Sequence, residues 1–186
     1  MLHSLSDESS QPAPALVDAA EVRRALQVLT MPEQVMELRI LGAKTAASAR
    51  YPYQASGYFN TADPLIKALA GLRGAKGIYL TLQPCNPVLL ARAHNRLRTV
   101  EEMRQAAATS DQHIIRLRWL LIDLDPDRPA GISSSEAEHQ AALHHARTIR
   151  DTLHEEGWPD PVEADSGNGA HLLYAIDLPV EAGARD

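Results

Sequence analysis

The chain has 186 residues, of which 45% are hydrophobic and 23% charged, proportions typical of a soluble globular protein of one domain. It contains no run of about 18 consecutive apolar residues, so no membrane span or membrane partner is predicted. The single cysteine, Cys85, excludes an internal disulfide and a multi-cysteine metal site, and it favours a cytoplasmic location.

The net charge of −6 argues against a nucleic-acid partner, but the charges are unevenly distributed. Residues 67–118 carry nine basic and three acidic side chains, whereas residues 119–186 carry four and fourteen. The basic segment suits a polyanionic backbone and the acidic segment suits cations. Solvated faces of uneven sign remain an equally open interpretation.

The first part of the chain is predicted to alternate between helices and strands after a polar, disordered leader at 1–17. Capping residues followed by an apolar stripe indicate the helices, and alternating apolar residues indicate the strands. A loop is predicted over 45–54, and a short extended piece ends at Phe59. The helices are predicted over about 18–29, 63–74, 88–97 and 99–107, and the strands over about 35–42 and 77–82.

The second part begins with a strand predicted over about 116–124, whose sequence runs from apolar residues into Asp123 and Asp125. A long helix follows, with a capping box at Ser133 or Ser135, and it ends at Gly157. The segments PVEAD, SGNG and AHLLYAIDLP then predict a hairpin in which Asn168 and Gly169 form a two-residue turn. The elements together predict a mixed α/β chain.

The aspartates at the end of the apolar strand are candidate metal ligands. Alternate residues of a strand share a face, so Asp123 and Asp125 are expected side by side. Two carboxylates about 6 Å apart repel by roughly 2–3 kcal/mol, and a bridging Mg²⁺ or Mn²⁺ would remove that repulsion. A strand that simply ends in a turn explains an isolated Asp-x-Asp equally well.

The predicted hairpin is a candidate phosphate site. A two-residue turn places Ser166 opposite His171, so the hydroxyl and the imidazole share a face. Backbone N–H groups of a glycine-rich turn favour bound phosphate oxygens. A structural hairpin with a structural histidine remains the alternative.

The Asp-x-Asp strand, the Gly-Trp-Pro exit of the long helix and SGNGAHLLY together resemble the archaeo-eukaryotic primase superfamily, in particular the primase-polymerases of mobile elements. The resemblance covers about 57–178. Asp123 and Asp125 match the metal-binding motif, and Gly169, Ala170 and His171 match the motif that contacts the nucleotide phosphates. It implies an α+β domain over 18–186, with a central, mostly antiparallel sheet flanked by helices, like an RNA-recognition motif.

The family also has a third motif, a carboxylate on a later strand, which the chain does not supply. Asp177 is expected roughly 20 Å from His171 along the same strand, and Asp165 is expected on the opposite face. The resemblance therefore implies a catalytic domain that is incomplete at its C-terminal end, and it adds a helicase domain or protein to the expected partners.

The resemblance implies template-directed nucleotide addition, with nucleoside triphosphate and single-stranded or primed DNA as partners. Asp123, Asp125 and His171 are the expected catalytic residues, and Asp123 and Asp125 hold Mg²⁺ or Mn²⁺. The residues expected to bind the nucleotide are Ser166, Gly167, Asn168, Gly169 and His171. The arginines expected to contact nucleic-acid phosphates are Arg92, Arg96, Arg98, Arg116 and Arg118.

Two other functions remain open at this point. A non-catalytic nucleotide or single-strand binding module would keep the two acids and the histidine, although an aromatic content of 4% is low for base stacking. An Asp-x-Asp glycosyltransferase would use Mn²⁺ and a sugar nucleotide, but it would leave the hairpin without a role.

Overall fold

The computed structural model describes residues 17–45, 53–129 and 131–180. The predicted leader and most of the predicted loop at 45–54 lie outside these ranges. The chain divides into two compact units. The first comprises residues up to Leu80 together with Val88–Ala108, and the second comprises Thr81–Pro87 together with residues from Thr109 onward. Folding of the chain as one domain stays a prediction.

The first unit is an antiparallel sheet with helices. Asp18 starts the first helix, because its Oδ1 accepts hydrogen bonds from the backbone N–H groups of Ala20 and Glu21 at 2.7 and 3.3 Å. The central strand β1 pairs with three others, and the sheet order is β3-β1-β2-β5 with β4 also paired to β1. The elements are α1 (Ala19–Leu29), β1 (Met36–Thr45), β2 (Tyr53–Phe59), α2 (Ala62–Ala70), β3 (Leu72–Gly74), β4 (Gly77–Leu80), β5 (Arg96–Leu97) and α3 (Val100–Gln105).

The second unit is a three-stranded antiparallel sheet with one long helix. Its elements are β6 (Arg116–Leu124), α4 (Glu136–Glu155), β7 (Val162–Asp165) and β8 (Ala170–Pro179), in the sheet order β6-β8-β7. Ser135 caps α4 through a reciprocal capping box with Glu138. The helix covers one face of the sheet by packing Ala146 against Leu172 and Tyr174.

The α+β class is confirmed, and all pairings between the named strands are antiparallel. The described strands form two sheets, one in each unit, where the sequence predicted a single central sheet. Among the described residues, no helix has both the length and the apolar composition needed to cross a bilayer.

Two predicted helices in the first unit are wrong in part. The second helix ends at Ala70 rather than Gly74, and the buried Leu72 lies in β3. The predicted helix over 88–97 is a 3₁₀-helix, Pro87–Arg92, followed by a turn and β5. Asn95 in that turn has a φ of 52°, which a helix cannot contain, and its carboxamide bonds the side chain of Asn60 at 2.7 Å.

A side chain covers part of the outer edge of β6. The carboxamide oxygen of Gln83 accepts hydrogen bonds from the N–H groups of Arg118 and Trp119 at 2.7 and 3.2 Å. The amide nitrogen of Gln83 donates to the carbonyl oxygen of Trp119 at 2.6 Å. The side chain thus makes the backbone bonds that a neighbouring strand would make at this point.

Candidate functional site

The site centres on a cross-strand pair at one end of the second sheet. Asp123 on β6 lies directly opposite His171 on β8. The neighbouring residues Ile122 and Leu172 pack with α4, so Asp123 and His171 point to the other face. The Nε2 atom of His171 lies 3.2 Å from Oδ1 of Asp123, and their side chains are 35% and 54% exposed. The carboxylate and the imidazole are therefore in contact and open to solvent.

Asp125 lies just beyond β6, beside the hairpin. A Cβ atom placed on Gly169 would lie 2.6 Å from Oδ1 of Asp125 and 2.2 Å from the carbonyl oxygen of Leu124. Only a residue without a side chain permits so close an approach of the hairpin to the end of β6. Asp123, Asp125 and His171 thus belong to the same end of the sheet.

The predicted register of the hairpin is wrong. His171 lies opposite Ala164 rather than Ser166, and Asp165 lies opposite Ala170. The turn has four residues, Ser166–Gly169, rather than two, and Gly167 carries a positive φ of 78°, whereas positive φ angles were expected at Asn168 and Gly169. A shift of this kind moves Ser166 off the strand, so it does not share a strand face with His171.

The backbone N–H groups of the turn already have acceptors within the turn. Oγ of Ser166 accepts hydrogen bonds from the N–H groups of Asn168 and Gly169 at 3.3 and 2.9 Å. The N–H of Gly167 donates to Oδ1 of Asp165 at 2.7 Å. A phosphate bound by these groups would have to replace those acceptors, a competition that the sequence did not reveal.

Contacts with α4 and with the residue before its N-cap hold the turn in place. Oδ1 of Asn168 accepts a hydrogen bond from the backbone N–H of Ser134 at 3.0 Å. Nε2 of His139 lies 2.8 Å from Oδ1 of Asp165, on the α4 side of the sheet. The pKa of Asp165 is lowered, first by the N–H of Gly167 and then by His139. The prediction that Asp165 faces away from His171 is confirmed.

Two of the expected residues could hold a divalent cation. The carboxylates of Asp123 and Asp125 are about half exposed, so both could offer oxygen ligands to a hydrated ion. Mg²⁺ often keeps several waters and uses only one or two carboxylates together with substrate phosphates. These two carboxylates fit that pattern. Across the described ranges, no group of three or more His, Cys, Asp and Glu side chains is arranged as a metal site.

Asp177 does not complete the pair. It forms an ion pair with Nε of Arg116 near the start of β6, at the opposite end of that strand from Asp123. This interaction lowers the pKa of Asp177. The large separation between Asp177 and His171 that the sequence predicted agrees with this placement along β8.

Three of the five candidate arginines already have carboxylate partners. Arg98 is buried at 6% exposure, where it contacts Glu37 and donates to Ser56, so its expected contact with nucleic-acid phosphate is corrected to a structural role in the first unit. Arg96 forms a bidentate ion pair with Glu102, and Arg116 forms an ion pair with Asp177.

The other two arginines have weaker attachments. Arg92 donates to the carbonyl oxygen of Ala107 at 3.4 Å in the first unit. Arg118 lies on β6, where its positive charge helps to lower the pKa of Asp177. The role of Arg92 and Arg118 in binding nucleic acid stays a prediction.

The sequence reasoning missed two side chains around the site. Arg128 lies with its Nη2 atom 3.5 Å from Oδ2 of Asp125, and His139 anchors the hairpin turn through Asp165. The only sequence signal for Arg128 was its position three residues after Asp125. No signal marked His139, because its partner lies 26 residues away.

Comparison of the chain with protein-family models, with curated proteins and with solved structures finds no match.

Proposed function

We propose that the chain carries part of the metal-dependent nucleotidyltransferase core of a DNA primase or polymerase of the archaeo-eukaryotic primase type. The observation that carries this proposal is the contact of 3.2 Å between His171 Nε2 and Asp123 Oδ1, at the end of two paired strands. A histidine beside a carboxylate pair lets one site hold both a cation and the phosphates that the cation neutralises.

The roles follow from the chemistry of each side chain. Asp123 and Asp125 hold Mg²⁺ or Mn²⁺, which when bound activates the attacking hydroxyl and stabilises the leaving pyrophosphate. The imidazole of His171 supplies an N–H donor to a phosphate oxygen of the incoming nucleotide. Its contact with Asp123 fixes the ring before substrate arrives, which reduces the entropy lost on binding.

The hairpin supports this arrangement rather than supplying phosphate ligands from its backbone. Ser166 accepts a hydrogen bond from Gly169 within the turn, and Asn168 accepts one from Ser134. These bonds set the position of Gly169. Gly169 in turn allows the hairpin to pack against Asp125. Ser166, Gly167 and Asn168 are therefore proposed to act on the nucleotide through the position of His171.

A non-catalytic nucleotide-binding module is the second candidate, and one observation favours it. The three carboxylates of the hairpin strands are engaged elsewhere, Glu163 with Arg150, Asp165 with His139 and Asp177 with Arg116. Two-metal nucleotide transfer uses ions about 3.5–4 Å apart that clamp both reacting oxygens. Binding of one metal-nucleotide complex requires only the pair that is present.

Primer extension by the full-length protein that carries this chain tests the proposal. We expect incorporation of a nucleotide on a primed DNA template with Mn²⁺, and a loss of about 100-fold or more for Asp123→Asn and His171→Gln. Asp177→Asn is the matched control, because it removes a carboxylate from the same sheet but far from the pair, and its extension should equal that of the parent. Retained fluorescence of the tryptophans would show that each variant is folded.

Two results would change the assignment. Full extension by both site variants would refute the catalytic roles of Asp123 and His171. If none of the proteins extends the primer, but deoxynucleoside triphosphate still binds and its binding requires Mn²⁺ and Asp123, the chain is a binding module instead.

A further inference from the structure

Arg128 is placed to share Asp125 with a metal ion. Its Nη2 atom lies 3.5 Å from Oδ2 of Asp125, and its Nη1 atom donates to the carbonyl oxygen of Ile132 at 2.6 Å. The side chain is 21% exposed, whereas that of Asp125 is 50% exposed. The guanidinium is thus held by the loop after β6 and reaches one oxygen of a proposed metal ligand.

The hydrogen bonding of Arg128 is incomplete. Its Nε atom is buried and has no hydrogen-bond partner among the described residues. A guanidinium offers five N–H donors, and the two bonds above use two of them. The positive charge of Arg128 also contributes to the lowered pKa of Glu138. Arg128 therefore retains donors for an anion.

A cation bound to Asp125 would lie close to the guanidinium of Arg128. The two positive charges would repel each other across a single carboxylate. The Arg128–Asp125 contact is long and partly exposed, so little free energy holds the pair together. A divalent ion brings twice the charge and binds oxygen directly, so it is expected to displace the guanidinium. The displaced guanidinium would then lie beside the place where phosphates of a metal-bound nucleotide must sit.

We propose that Arg128 neutralises Asp125 when no metal is bound, and that it transfers to a phosphate oxygen of the nucleotide when a divalent cation takes Asp125. Planar N–H groups suit phosphate oxygens, so the transferred arginine gains stronger hydrogen bonds than it loses. This inference rests on the proposed function, because it assumes that Asp125 holds the metal.

The proposal requires that removing the guanidinium has opposite effects on two ligands. Arg128→Gln should bind Mn²⁺ about fivefold more tightly than the parent, since a competing cation is gone. The same variant should bind deoxynucleoside triphosphate about tenfold more weakly in saturating Mn²⁺, since a charged phosphate donor is gone. A residue that only supports the loop would weaken both ligands together.

Mn²⁺ binding is measured by electron paramagnetic resonance of the free ion, and nucleotide binding by calorimetry on the 186-residue chain. Arg150→Gln is the matched control, because Arg150 lies in the same unit but pairs with Asp151 and Glu163. It should change neither affinity. Urea unfolding followed by tryptophan fluorescence accompanies each variant, and Arg128→Lys provides a second variant that keeps the charge.

The outcomes separate this inference from the proposed function. If the parent binds Mn²⁺ and Arg128→Gln binds it equally or more weakly, competition at Asp125 is refuted while the metal site stands. If Arg128→Gln binds nucleotide as tightly as the parent, the transfer to phosphate is refuted. If neither the parent nor Arg128→Gln binds Mn²⁺, both the metal site and this inference are wrong.

Discussion

Substitution of Gly169 by alanine tests how closely the hairpin packs against the end of β6. The added Cβ atom would lie 2.2 Å from the carbonyl oxygen of Leu124, a backbone atom that cannot rotate away. An ordinary carbon–oxygen contact is about 1 Å longer, so the ends of β6 and β8 must separate by about that distance. Gly167→Ala is the matched control, because nothing lies within 4 Å of its added Cβ atom.

The two variants should differ clearly in stability. Overpacking costs about 1–3 kcal/mol, and separation of the strand ends weakens a ladder hydrogen bond worth about 1 kcal/mol, so Gly169→Ala should lose about 2–4 kcal/mol. Gly167→Ala should lose about 1 kcal/mol, because alanine at a φ of 78° is strained but the denatured chain loses entropy.

Urea unfolding provides the measurement, because both tryptophans, Trp119 and Trp158, belong to the second unit. With a urea dependence of about 2 kcal/mol per molar, Gly169→Ala should lower the midpoint by about 1–2 M. If Gly169→Ala is no less stable than Gly167→Ala, the close approach of the hairpin to Leu124 is wrong.

Two further expectations concern charged groups. Arg98→Ala should destabilise the first unit by about 3–5 kcal/mol, because it leaves the buried carboxylate of Glu37 without this cation. Arg96→Ala removes an exposed ion pair and should cost less than about 1 kcal/mol. Thermal unfolding followed by circular dichroism measures both losses, and equal losses would contradict this expectation. Asp165 has a lowered pKa in the folded chain, so its contribution to stability is present above the ordinary carboxyl pKa and is lost as the pH falls through the lowered value. Asp165→Asn should therefore lower the urea midpoint at pH 7, and this loss should shrink as the pH falls below the ordinary carboxyl pKa; a loss that is independent of pH would refute the ionic role of that carboxylate.

The sequence predicted those elements whose signals are local. Capping residues and an apolar stripe marked the first helix and the long helix, and Ser135 and Asp18 act as caps in the structure. The strand over 116–124 has the predicted bounds because an unbroken apolar run leads into the acidic residues. The shared location of Asp123 and His171 was expected only from the family resemblance, because no local signal in either segment sets the pairing of β6 with β8.

The failures involve signals that a sequence does not carry. The hairpin register depended on turn length, and the side chains of Ser166 and Asp165 stabilise a four-residue turn that the Asn-Gly pattern did not indicate. Arg98 looked like a surface cation because its partner, Glu37, lies 61 residues earlier in the chain. Similarly, Leu72 satisfied a helical stripe but is buried on a strand.

The carboxamide of Gln83 has a consequence for how the protein behaves when it is concentrated. An uncovered strand at the border of a sheet invites another molecule to add its own strand, which is a common first step toward aggregates. Gln83 occupies the donor and acceptor of Trp119 at that border with a single side chain. Its replacement by leucine would free these groups for intermolecular pairing, so solubility rather than activity would be the first property to suffer.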